Sequence, residues 1–182
     1  MWFEKREVNL KDGRICVLRP AEPDDSIELI QYLKQTAGET TFLLKYPEEW
    51  NLTEEREREL LQGILENSNS TMMVAIIDGE VAGNSSVNPV GNARRVLHRC
   101  GFAIALKKAY WNLGIGTAMI KYQSELAKQI GYEQIELEYV EENKRAKALY
   151  EKCGFVSSGK RIKSNKYDDG TYSDDIFMTK FL

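Results

Sequence analysis

Two glycines, Gly114 and Gly116, stand one residue apart in the stretch YWNLGIGTAMI, where apolar spacing opens a helix. Glycine is the poorest ordinary helix former, so its double use at a helix start needs a reason. A turn that requires positive φ is one reason. A large anion that must come close to the backbone is the other. A helix start presents unpaired N–H groups and the positive end of the helix dipole, and glycine removes the Cβ that would hold an anion away. A pyrophosphate is the obvious guest. Gly-x-Gly by itself fits both explanations. The stretch is not a phosphate loop of the Gly-Lys-Ser/Thr kind, because no such pair follows Gly116. It also lacks the third glycine of the dinucleotide-binding fingerprint, with Ala118 and Met119 following instead.

Other side chains with chemical potential lie on either side of this turn. Glu136 and Glu138 alternate in QIELEYV and so share one strand face, with Glu138 a candidate base or both of them solvated carboxylates. His98 is the one histidine and stands among Arg94, Arg95 and Arg99. It is a spare base or a surface residue, and the arginines are a solvated loop or a contact to a phosphate. Tyr150 falls on the apolar face of NKRAKALYEKCGF, which by spacing alone reads as core. Cys16, Cys100 and Cys153 are widely spaced with no CxxC, so they suggest neither a disulfide framework nor a metal site. Three reduced thiols point to a cytoplasmic protein.

The elements that must position these residues follow from patterning. Residues 8–19 alternate around a DG turn and read as a strand or short hairpin. DDSIELIQYLKQ is a helix that Asp24, Asp25 or Ser26 can cap. ETTFLLKYPEEWN reads as a loop or partial helix. A second helix begins with Asn51 and Glu54 at capping-box spacing. Asp78-Gly79 joins two strand-like runs as a hairpin. HRCGFAIAL is a strand, then comes the glycine turn and a helix that Gly131 ends. QIELEYV is a strand, and NKRAKALYEKCGF is a helix that stops at Gly154. Two final strands flank Asp169-Gly170. The order is β-α-α-β-β-β-α-β-α-β-β in one α/β domain, 1–182, without repeats or linkers. Its leading hairpins are antiparallel, so the sheet is expected to be mixed.

Bulk composition narrows the class. The 182 residues carry a net charge of −3, with 42% apolar and 29% charged residues. No basic excess is present to neutralise a nucleic-acid backbone. No apolar run approaches the about 20 residues of a membrane span. The start, MWFEKREVNL, lacks the apolar core of a signal peptide. The expectation is therefore no nucleic-acid partner and no membrane partner.

The segment GFAIALKKAYWNLGIGTAM resembles the acyl-coenzyme-A-binding segment of the GNAT superfamily of N-acetyltransferases, in which a strand is followed by Q/R-x-x-G-x-G/A. Here Trp111, Asn112, Leu113, Gly114, Ile115 and Gly116 fill the pattern. Trp111 departs at the first position, which removes one polar phosphate contact. NKRAKALYEKCGF resembles the family's second signature, N-x-x-A-x-x-L-Y-x-x-x-G-F, through Asn143, Ala146, Leu149, Tyr150, Gly154 and Phe155. VLRPAEPDD resembles its N-terminal phrase. The resemblance runs from about Val8 to the end, and two motifs in the right order are far more specific than either alone.

The resemblance implies the GNAT fold: a mixed, mostly antiparallel central sheet of α+β type, splayed at a cofactor cleft and flanked by helices. It implies acetyl-CoA as co-substrate, its pantetheine pairing like an added strand with Ile104, Ala105 and Leu106. The pyrophosphate would sit on the N–H groups of Trp111, Asn112, Leu113, Gly114, Ile115, Gly116 and Thr117. Asn143 would bond the pantetheine arm. The implied reaction is attack of an amine on a thioester. The ammonium must lose a proton, the oxyanion needs a donor such as a backbone N–H near Ile104, and the thiolate must be protonated. In the family the tyrosine at position 150 is the general acid. Glu138 is the candidate base, directly or through a water. The family's ribosomal-protein N-terminal acetyltransferases carry a glutamate at the same offset ahead of the asparagine.

The acceptor is less defined. The loop with Phe42, Tyr46, Glu48, Glu49 and Trp50, and the hairpin with Asp168, Asp169, Asp174 and Asp175, combine aromatics with carboxylates that suit a cationic amine. A polyamine, aminosugar, amino acid or peptide amine would fit, and simple solvation explains the acids equally well. A homodimer through the terminal strands is open to this pattern. The competing class is a non-catalytic acyl-CoA-binding or interaction module on the same fold. A third, an unrelated nucleotide-binding protein, would be stabilised by ATP or NAD and not by CoA.

Overall fold

A computed structural model describes all residues, Met1–Leu182. The residues expected to form a strand or short hairpin at the start form the hairpin, β1 (Arg6–Asn9) and β2 (Ile15–Pro20). Helices α1 (Ser26–Glu39) and α2 (Glu54–Glu66) follow, then the hairpin β3 (Thr71–Ile77) and β4 (Glu80–Pro89). Next come β5 (Arg99–Leu106), α3 (Ile115–Ile130), β6 (Gln134–Val140) and α4 (Lys144–Lys152). Strands β7 (Val156–Lys166) and β8 (Tyr172–Phe181) close the chain. The sheet order is β1-β2-β3-β4-β5-β6-β8-β7. Every neighbouring pair is antiparallel except β5 and β6, which α3 joins as a parallel pair. This is the mixed, mostly antiparallel sheet of the expected fold class.

Alternation along β3 shows how the sheet is covered. Met73, Ala75 and Ile77 pack with Ile115, Met119 and Leu126 of α3 on one face. Val74 packs with Leu29 and Tyr32 of α1 and Leu61 of α2 on the other. A further core under β5, β6 and β8 takes Phe102, Ile135, Leu137 and Met178 against Ile120 of α3 and Tyr150 of α4. β7 is left at the edge, carrying Lys160, Arg161, Lys163 and Lys166, with its register broken between Arg161 and Asn165. Cations and a register break both blunt an edge against further strand pairing.

Two helix starts differ from the sequence reading. Thr53, not Asn51, caps α2, its hydroxyl accepting from Arg56 N–H at 3.3 Å. Asp25 occupies the N-cap of α1 without a capping bond. Its carboxylate instead accepts from both terminal nitrogens of Arg19 at 2.7 Å and from Glu22 N–H at 2.7 Å, a charge-assisted set that outcompetes the cap. Gly131 ends α3 in the left-handed conformation, φ 105°, as its position implies. No helix is long and apolar enough to cross a membrane.

All three cysteines are buried and unpaired. Burial pushes the Cys16 thiol up to about 11 and, with the Glu136 charge adding to it, the Cys100 thiol up to about 12; burial raises Cys153 as well. The reactive species is the thiolate, so the folded protein should resist thiol reagents at pH 8. Labelling with a chromogenic disulfide reagent is expected to report no fast-reacting thiol in the native state and all three in guanidinium. A thiol titrating within seconds in the native protein would contradict the burial.

Candidate active site

The site begins where two strands part. β5 and β6 are paired only at Arg99↔Gln134, Cys100↔Ile135 and Gly101↔Glu136. Beyond that β5 stays with β4 as far as Leu106, and β6 stays with β8 as far as Val140. A gap therefore opens between the C-terminal halves of β5 and β6. Backbone direction along β5 is fixed by its bonds. The His98 carbonyl accepts from Glu133 and Gln134 N–H groups at 2.9 and 3.2 Å, so even-numbered residues turn toward β6. Lys107 N–H donates to the Ala82 carbonyl at 2.9 Å, so odd-numbered ones turn toward β4. Ile104 thus directs its N–H and C=O into the gap. Ala105 does not: its carbonyl accepts from the Tyr32 hydroxyl at 2.8 Å, and that hydroxyl in turn accepts from Asn84 N–H at 3.1 Å. The Leu106 carbonyl is engaged by the Trp111 indole N–H at 2.9 Å. Of the three residues read as a pantetheine-pairing strand, Ile104 turns both backbone groups and Leu106 its N–H into the gap, while Ala105 faces β4.

The glycine turn lies at the open end of that gap. Asn112 (φ 66°) and Gly114 (φ 99°) are left-handed, so successive N–H groups curl into a concave cradle ahead of α3. No side chain caps α3, which leaves the first-turn N–H groups of Ile115, Gly116 and Thr117 free. The two glycines serve different ends. A Cβ at Gly114 would meet nothing within 4 Å, so positive φ is what this position requires. A Cβ at Gly116 would stand 3.0 Å from Leu149 Cδ2, so its absence lets α3 approach α4 closely.

α4 brings two motif residues to the same gap. Asn143 is its N-cap, Oδ1 accepting from Ala146 N–H at 3.0 Å. That bond fixes the amide orientation and leaves Nδ2 as a donor. Tyr150 is 7% exposed, with its ring 5.8 Å from Tyr139 and 5.9 Å from Phe155. Its environment is core, as spacing suggested, yet no protein group hydrogen-bonds its hydroxyl. Burial drives the phenol well above its ordinary range, so it stays protonated at any working pH.

Glu136 and Glu138 face the side of the sheet away from α3 and α4, where a groove of about 760 Å³ runs past Ser86, Asn88, Arg99 and Phe177. Both carboxylates are ion-paired. Arg99 grips Glu136 with two nitrogens, one at 2.7 Å, and holds its carboxyl below the usual range. Glu138 is 53% exposed at its side chain and pairs with Arg161 at 3.2 Å. Arg161 reaches Asp175 at 3.8 Å and lies 4.6 Å from the Phe177 ring.

His98 and the arginines near it are at the wrong end of the sheet. His98 precedes the closed, paired end of β5. Six residues of strand, about 20 Å at ~3.3 Å each, separate it from Ile104. It is not a base for chemistry in the gap, and Arg94 and Arg95 are not contacts to a ligand in the glycine turn.

The two segments read as acceptor determinants do meet. Tyr167 donates its hydroxyl to the Thr41 carbonyl at 3.4 Å, and Asp168 N–H donates to the Tyr46 hydroxyl at 3.3 Å. Their carboxylates are largely engaged within the hairpin. Asp174 accepts from Lys160 Nζ at 2.8 Å and Lys163 N–H at 2.7 Å, Asp175 from Asn165 at 2.9 Å, and Asp169 from Thr171. The hairpin is charge-balanced rather than a free acidic patch. Sequence reasoning also missed Arg161, which nothing in the sequence links to Glu138 across two strands.

The model of the acetyltransferase (GNAT) family matches residues 30–155, and the chain belongs to that family. It is an acyltransferase by that membership. Among solved structures, the GNAT-family acetyltransferase from Streptococcus pneumoniae is 28% identical, with a TM-score of 0.87 over 92% of this chain and 99% of that one. Two more distant structures share the fold. The ribosomal-protein-alanine N-acetyltransferase of Brucella melitensis is 20% identical, TM-score 0.79, over 91% of this chain and 99% of that one. The phosphinothricin acetyltransferase of Sinorhizobium meliloti, a structure in complex with acetyl-CoA, is 18% identical, TM-score 0.79, over 96% of this chain and 89% of that one.

Proposed function

We propose that this single domain moves the acetyl group of acetyl-CoA to a primary amine by direct attack within a ternary complex. The observation that carries the reading is Tyr150, whose ring is nearly buried while its hydroxyl, held protonated, has no protein partner, on the helix that borders the gap. The ring is buried while the hydroxyl oxygen is not among the buried atoms that lack a partner, so the hydroxyl is the part of the side chain left accessible to a ligand atom. The donors present fit the cofactor. The left-handed cradle at residues 111–117 suits a pyrophosphate, Asn143 Nδ2 and the Ile104 backbone suit a pantetheine amide, and the gap between β5 and β6 admits an extended arm. Family relatives bound to acetyl-CoA or CoA support the same assignment.

Bound acetyl-CoA supplies an acetyl thioester. Ile104 N–H, turned into the gap, is placed to stabilise the negative charge that develops on the carbonyl oxygen. Tyr150 donates its hydroxyl proton to the departing thiolate sulfur and regains one from solvent. Glu138, on the groove face, receives the ammonium proton directly or through a water, with Arg161 turning from Glu138 to Asp175 as the amine arrives. Glu138→Gln is expected to lower kcat/KM for the amine about a hundredfold with CoA affinity unchanged. Unaltered turnover would assign the deprotonation to water.

The acceptor is a small-molecule or peptide amine, and three unpaired buried thiols fit a reducing, cytoplasmic setting. The deciding experiment incubates the protein with acetyl-CoA and a panel of polyamines, aminoglycosides, amino acids and peptides, following release of CoA thiol. Release with one class establishes the reaction and its acceptor. Binding of CoA with no turnover on any amine, indifferent to Tyr150→Phe, would favour the non-catalytic module.

A further inference from the structure

We infer that Arg145 is a phosphate-binding residue of the cofactor site, supplying the charge that Trp111 leaves out of the glycine turn. The inference rests on the acetyl-CoA reading above. Trp111 occupies the motif position where a polar side chain would meet phosphate. Its one donor is engaged, because the indole N–H bonds the Leu106 carbonyl. The Arg145 guanidinium stands over the indole face, 4.1 Å from the ring centroid. The ring face holds the cation in place without taking up its N–H donors, which stay available to a phosphate.

Charge around Arg145 argues that its partner is missing from the chain. Arg6, Arg14, Arg19, Arg58, Arg99 and Arg161 each meet a carboxylate, whereas Arg145, like Arg56, Arg94 and Arg95, has none within 4.0 Å, and of these four it is Arg145 that stands over the Trp111 ring. It sits with Lys144 in the first turn of α4, a turn without an acidic residue. Cations there oppose the helix dipole and are unfavourable unless an anion is shared. The spot is next to the cradle: α4 approaches the α3 start so closely that Leu149 would meet a Cβ at Gly116. The tryptophan that deletes the phosphate contact is thus the platform that orients a replacement from another helix.

The test compares wild type with Arg145→Met, which keeps aliphatic surface on the indole, and Arg145→Lys, which keeps the charge. Calorimetry measures binding of CoA, 3′-dephospho-CoA and pantetheine, and kinetics use the matching acetyl thioesters. Arg145→Met is expected to weaken CoA binding about tenfold, the loss falling on KM rather than kcat, with Arg145→Lys between. Its salt dependence should also be shallower. Pantetheine, which has no phosphate, should bind both proteins equally. A defect that persists with 3′-dephospho-CoA assigns the contact to the pyrophosphate. One that disappears assigns it to the 3′-phosphate. Equal loss for pantetheine, a lowered Tm of the free variant with no selective loss, or CoA binding unchanged would overturn the inference and make the stack a packing pair. Failure of the wild type to bind CoA would instead overturn the acetyl-CoA reading itself, and is seen before any variant is compared.

Discussion

Replacing Tyr150 by Phe is expected to lower kcat at least about a hundredfold while leaving the dissociation constant for CoA within about twofold, the usual reach of a lost general acid. The hydroxyl has no protein partner to lose. Deleting a buried, bonded hydroxyl typically costs about 1 kcal/mol of stability. Here the ring keeps its contacts with Tyr139 and Phe155, so the unfolding free energy should stay within about 0.5 kcal/mol of wild type. Activity and stability are thereby separated. Burial holds the phenol above its ordinary range, so the acid limb of the wild-type rate profile does not come from Tyr150. The proton remains on oxygen through neutral pH and is lost only in strong alkali. Chemical denaturation, CoA titration and steady-state kinetics on the one variant check all three statements. An equal loss of affinity and turnover would make Tyr150 a packing residue of the α4 core.

How far the site was legible in sequence depended on whether its signals were local. The glycine turn could be read because positive φ at Gly114 and the apolar period after it are properties of one short segment. Asn143 and Tyr150 could be read because both fall in one short segment that resembles the family's second signature; spacing alone made Tyr150 core and did not mark Asn143 as the cap of α4. The parallel pairing of β5 and β6 follows from a helix between two strands. Their divergence after Gly101 and Glu136 does not, because it is a relation between chains of contacts on both outer sides. His98 was a fair candidate base on residue type, and only the direction of β5 removes it to the far end. The acids of the last hairpin looked available for a cationic substrate, yet Lys160 takes up Asp174, Arg161 and Asn165 reach Asp175, and Thr171 holds Asp169. Asn51 looked like a cap for α2, yet Thr53 fills that place two residues later. Gly116 carried the same letter as Gly114 for another reason, the nearness of Leu149, which only the packing of α3 on α4 reveals.

The second large effect concerns a glycine that no motif marks. Gly83 pairs with Leu106 across β4 and β5, next to the register shift that β4 makes against β3. A Cβ at Gly83 would lie 2.2 Å from Leu106 Cδ2 and 2.8 Å from the Ala105 carbonyl oxygen. The leucine side chain can rotate, but the carbonyl belongs to the strand that borders the gap. Relief therefore requires β5 to move. That movement would pull the Ala105 carbonyl from Tyr32, the Leu106 carbonyl from the Trp111 indole, and with it the platform beneath Arg145. Gly83→Ala is expected to cost about 2 kcal/mol, within the range for overpacking a tight contact. For a domain of this size that is a fall in Tm of roughly 4–8 °C. CoA affinity should fall with it, by about tenfold or more, since the cradle and the pairing edge are both tied to β5. Thermal melts with and without CoA separate the two consequences. A variant that melts lower but binds CoA as wild type does would show that the strain is absorbed on the β4 side. A variant unchanged in both would show that Leu106 alone gives way and that β5 is not fixed by this contact.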